Sequence, residues 1–112
     1  MTDRDADAAA LAGAMGWTLE VCRWTNRPFF QIHKCGMGYF IPAATAPLGE
    51  QFAFVGRLTE AISGPNAPDT SVNVEFVPSI NHYRVGFGGE FRFGDDLVHA
   101  AIRAALAAKG AT

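Results

Sequence analysis

Apolar residues recur at helical spacing in three stretches of the chain and alternate with polar ones in others. Ala8, Leu11, Ala12 and Met15 form a narrow stripe that predicts a helix over about 3–15. Thr2 precedes it as a cap, and Asp3, Asp5 and Asp7 lie in its first turns, where carboxylates favour the positive end of the helix dipole. Gly16 is its natural stop. Leu48, Phe52, Val55, Leu58 and Ile62 recur at steps of four, three, three and four, the clearest amphipathic pattern in the chain. They predict a helix from Thr45 to Ser63, capped by Thr45, with Pro47 in its first turn and all five apolar residues packed on a sheet. Leu97, Val98, Ala101, Ile102, Ala105 and Leu106 predict a last, alanine-rich helix, capped by Asp95 or Asp96 and running to Gly110.

Strands are read from period two. Trp17 to Trp24 alternates, with Trp17, Leu19 and Val21 on one face. Phe29 to Lys34 follows the turn 25–28, with Phe30 and Ile32 inward. A symmetric turn sets Glu20 opposite His33 and Cys22 opposite Gln31. Residues 35–44 read as a glycine-broken apolar loop with a short strand at 39–41. Val72, Val74 and Phe76 give a third strand, and Tyr83, Val85 and Phe87 a fourth, antiparallel to it. Gly88-Gly89 reads as a bulge or kink beyond which Phe91 and Phe93 extend the same strand. The expected fold is α+β in the order α-β-β-α-β-β-α: a four-stranded, mainly antiparallel sheet covered by helices, in a single domain over 1–112.

Composition narrows the function. Hydrophobic residues are 49% and charged residues 18%, a globular balance. Nine basic and eleven acidic residues leave a net charge of −2, without the basic field that nucleic-acid binding needs. Eleven scattered carboxylates make no dense acidic face either. No apolar run is long enough for a membrane span, and the first fifteen residues do not have the character of a signal peptide. Two cysteines are too few for a disulfide scaffold, so a reducing, cytoplasmic setting is expected.

Candidate chemistry is sparse. Cys22, His33, Cys35 and His82 are the one conceivable zinc set, but they lack ligand spacing, and no metal or cofactor is expected. Glu20 with His33 has the form of an acid–base pair, and equally of a cross-strand surface pair. Gly36-Met37-Gly38 is followed by Tyr39-Phe40-Ile41 and not by a helix start, so it is no phosphate loop. Met37, Tyr39 and Phe40 then form either a packed loop or an adaptable contact surface. Arg84, Arg92 and Arg57, with Phe91 and Phe93, have the parts of an anion-and-ring site for a nucleotide, or of a solvated strand face. The binding candidates are therefore Met37, Tyr39, Phe40, Arg84, Phe91, Arg92 and Phe93, on the segments 35–42 and 87–93. The aromatic share, 12%, suggests self-association as well.

The helix end Leu11-Ala12-Gly13-Ala14-Met15-Gly16-Trp17 and the late helix Ala100-Ala101-Ile102-Arg103-Ala104-Ala105-Leu106 resemble the phage ABA sandwich domain family of small phage and prophage proteins. The chain departs from that pattern at Tyr83, where a tryptophan is expected, and in lacking a cysteine beside Arg103. The resemblance transfers no catalytic residue. It implies a phage accessory role against host defence, and the expected function is non-enzymatic binding and inhibition of a host defence protein, as anti-CRISPR proteins do. The alternative, from the arginines and aromatics, is sequestration of a nucleotide signal.

Overall fold

A computed structural model describes residues 3–31, 38–63, 72–87 and 90–109. Its elements are α1 (Asp3–Met15), β1 (Thr18–Val21), β2 (Pro28–Gln31), β3 (Gly38–Phe40), α2 (Leu48–Ser63), β4 (Val72–Val77), β5 (His82–Phe87), β6 (Glu90–Gly94) and α3 (Leu97–Ala108). The order is α-βββ-α-βββ-α, with two three-stranded antiparallel sheets, β1-β2-β3 and β4-β5-β6. The expected single four-stranded sheet is thus replaced by two sheets, because each predicted strand pair gains a third, short strand.

α3 is the centre. It buries ten of its twelve residues, among them Leu97, Val98, Ile102 and Leu106. A helix apolar around most of its surface must be enclosed. Here β5 and β6 lie on it, as do α1 and α2. Asp96 caps it, its carboxylate accepting from the His99 amide at 3.0 Å. Small side chains let neighbours close in. A Cβ on Gly94 of β6 would overlap the backbone of Ala100, reaching its Cα at 2.8 Å. Glycine is therefore required where the strand crosses the helix.

α1 presents its expected stripe: Ala8, Leu11 and Ala12 are buried and Met15 packs beside them. It ends at Gly16, whose φ of +74° is left-handed, with Trp17 N–H donating to Ala12 O at 2.8 Å. The first sheet joins this core through Trp17, Phe30 and Tyr39. Phe30 is fully buried and stacks on Phe54 of α2, centroids 6.3 Å apart, and Trp17 meets it at 5.3 Å.

Four further sequence expectations change. The buried face of α2 is Gln51, Phe54, Val55 and Leu58, with Ile62 packed alongside, while Leu48 and Phe52 are about half exposed at 52% and 47%. The helix is rolled from its expected face because Gln51 is used inside, its amide donating to Ala46 O at 2.8 Å. The helix also begins at Leu48, with the Glu50 and Gln51 amides bonding to Pro47 O, so Thr45 is not its cap. The β1–β2 register pairs Thr18 with Gln31 and Glu20 with Phe29, not Glu20 with His33 or Cys22 with Gln31. Asn26 adopts a φ of +56° and closes the turn onto Cys22, which moves its centre toward the N-terminus. Finally, Phe91 and Phe93 do not prolong β5. Phe87 pairs with Glu90, and β6 runs back antiparallel. The β4–β5 hairpin is as expected, Val77 pairing with His82.

The rolled face of α2 is directly measurable. Phe54→Ala is expected to destabilise the fold by about 3–5 kcal/mol through the cavity it leaves, and Phe52→Ala by less than about 1 kcal/mol. Urea melts of the two variants give the comparison, and equal losses would place Phe52 in the core after all.

Candidate functional site

The register fixes which side chains share a face. On the second sheet, Val85 lies between Val74 and Arg92, and this face meets α3. Glu75, Arg84 and Phe93 lie in one cross-strand row on the other face, with Phe91 next along β6. That outer face carries an aromatic and cationic strip. Arg84 forms an ion pair with Glu75 and lays its guanidinium over the Phe91 ring, 4.6 Å from the centroid. Phe91 and Phe93 remain 37% and 41% exposed.

The first sheet repeats the device. Phe29 and Phe40 pair across β2 and β3 with centroids 5.7 Å apart. Arg27 sits 5.0 Å over the Phe40 ring and reaches Glu50 at 3.4 Å. Phe40 is 45% exposed. Tyr39 points the other way: it meets Trp17 edge-on at 5.7 Å and lies under Arg57 at 5.3 Å. Its burial pushes the phenol above its ordinary pKa, against the pull of Arg57.

The candidate residues are therefore dispersed. Arg84, Phe91 and Phe93 come together on one face. Arg92 lies on the opposite face of the same strand, half-buried, donating to Phe91 O at 2.8 Å. Tyr39 and Phe40 belong to the other sheet, on opposite faces of it. Arg57, on α2, lies over the Tyr39 ring of the first sheet, whereas Arg84 lies over the Phe91 ring of the second. Met37, His33 and Cys35 lie outside the described residues. Cys22 and His82, from the conceivable zinc set, lie at the turn of the first sheet and in β5 of the second. Hydrogen bonds from Thr25 hold the Cys22 thiol below its ordinary pKa.

Sequence reading missed the main polar cluster. A cleft of about 540 Å³ opens where α1, the start of β5 and the N-terminus of α3 converge. In its wall His99, 7% exposed, has its Nε2 2.7 Å from Asp7 Oδ2. Arg103 donates to the same oxygen at 3.0 Å. Arg4 pairs with the capping Asp96 at 3.3 Å and donates to Pro42 O. Asp95 lies 3.2 Å from His82 at the rim. An imidazole held by a carboxylate is the form of an acid–base pair, but here the bonds of Asp7 with His99 and Arg103, and of Arg4 with Asp96, tie α1 to α3 and its cap. The only signal in the sequence is spacing: Arg4 and Asp7 share one helix face, as do Asp96, His99 and Arg103.

No protein-family model matches the chain, and neither a curated protein nor a solved structure is similar to it.

Burial alone would raise the Asp7 carboxyl, but hydrogen bonds from His99 and Arg103 outweigh it and hold the pKa below its usual value. A depressed carboxylate stabilises the fold above its unfolded pKa, about 3.9, and that contribution disappears as pH falls through the folded value. Asp7→Ala is expected to cost about 2 kcal/mol at neutral pH, because it strands buried His99. The deficit should shrink as pH drops below about 4. Denaturant melts across pH test this, and a constant deficit would contradict it.

Proposed function

We propose that this chain is a non-enzymatic accessory protein of phage type that binds and inhibits a host defence protein through the outer face of the second sheet. The observation that carries the docking face is the strip of Phe91, Phe93 and Arg84. Two rings stay exposed on a regular sheet whose other face is anchored on α3, so they are presented rigidly. Aromatic residues and arginine are the types that dominate binding energy at protein interfaces. Rigid presentation lowers the entropy lost on docking. The Glu75 pair and the Phe91 ring already hold the Arg84 guanidinium in place. The phage setting and the class of target rest on the resemblance of residues 11–17 and 100–106 to the phage ABA sandwich domain family. Those two segments include parts of the mutually packed helices α1 and α3.

The test is a plaque assay in bacteria whose CRISPR or other defence system blocks a test phage. Expressing the chain is expected to restore plaques. The double variant Phe91→Ala, Phe93→Ala is expected to lose most of that effect, at roughly tenfold in affinity per ring. Its melting temperature should stay within about 5 °C of the parent. Failure of the parent against a panel of defence systems, or full activity of the double variant, would refute the proposal.

A further inference from the structure

Among the described residues, β4 alone of the strands that border the two sheets offers a long edge without a guard. β1 has four residues and β3 three. On β6, two carbonyls are already taken: Arg103 donates to Phe93 O at 3.1 Å and Arg92 to Phe91 O at 2.8 Å. Arginines placed this way discourage the addition of another strand. β4 has six residues, each paired with β5 on one side. It contains no proline, glycine or lysine, and its single charge, Glu75, is engaged by Arg84 in the neighbouring strand. Val72 and Phe76, on the face that turns toward α3 further in, are 38% and 45% exposed. An apolar row and an open backbone edge thus coincide among the described residues.

We infer that this edge pairs with a second copy of the chain, antiparallel about a two-fold axis through Val74, to make one six-stranded sheet. The pattern of β4 selects that register. A pairing slipped by one residue would set the apolar row against the polar one. An axis through Glu75 would oppose two carboxylates, which is destabilising. An axis through Asn73 would leave Glu75, Phe76 and Val77 beyond the paired residues of the described strand. An axis through Val74 opposes Val72 to Phe76 and Val74 to itself. It also opposes Asn73, an amide donor, to Glu75, a carboxylate acceptor. A two-fold interface needs this self-complementarity, since each contact is made twice. The pairing stands whatever the outer face of the sheet binds.

Light scattering of the purified chain is expected to give twice the 12.0 kDa chain mass at high micromolar concentration. Asn73 is exposed, so replacing it leaves the fold intact. Asn73→Glu opposes like charges twice and is expected to weaken the dimer about tenfold, while Asn73→Lys, facing Glu75, is expected to strengthen it by a similar factor. A chain-mass particle throughout the concentration range would overturn the inference. So would a dimer whose dissociation constant ignores both substitutions, because it would be built on another surface.

Discussion

The architecture depends on how closely other elements can approach α3. Its alanines leave little side chain between helix axis and neighbour, and Gly94 removes the one Cβ that would collide with Ala100. The fully buried Leu11, Leu58, Val85, Leu97 and Ile102 come from α1, α2, β5 and α3, so one helix gathers the apolar faces of three partners. Such burial is strong but non-directional, and an alanine-rich helix can roll without losing much of it. The bonds of Asp7 with His99 and Arg103, and of Arg4 with Asp96, are directional. They set the roll of α3 against α1, which apolar contact alone leaves loosely defined.

The width of that helix explains what is left outside. A helix spans roughly 10 Å with its side chains, and strands lie about 4.8 Å apart. One helix therefore covers two strands well and a third poorly. α3 packs on β5 and β6, and the apolar row of β4 overhangs. The outer face of the same sheet has no helix on it among the described residues, so its rings meet solvent. Each outer face answers with the same local device: an arginine, tied to a glutamate, shields an exposed phenylalanine. That lowers the cost of the exposed ring while keeping it accessible.

Elements governed by a local period were readable from the chain. α1, the β4–β5 hairpin and the Asp96 cap follow from spacing and from one capping residue. α2 is legible in its C-terminal end at Ser63, but its start and its roll are not. Val55, Leu58 and Ile62 belong to both possible faces, and only the bonding of Gln51 to the preceding loop decides between them. β6 was hidden because alternation is the same whether a strand continues or turns back. In the candidate site, Arg84, Phe91 and Phe93 could be placed together only once that reversal was known. The polar cluster joins residues 92 or more positions apart, which no local pattern encodes.

The position of α3 in chain order has a consequence for biosynthesis. α1, α2 and the second sheet precede in the chain the helix that packs on their apolar faces. α1, α2 and the second sheet leave the ribosome with Leu11, Leu58 and Val85 uncovered until Leu97 to Ala108 has emerged. Folding is then closed by long-range contacts that form only once α3 has emerged. The nascent chain is most exposed to chaperones and proteases just before that point.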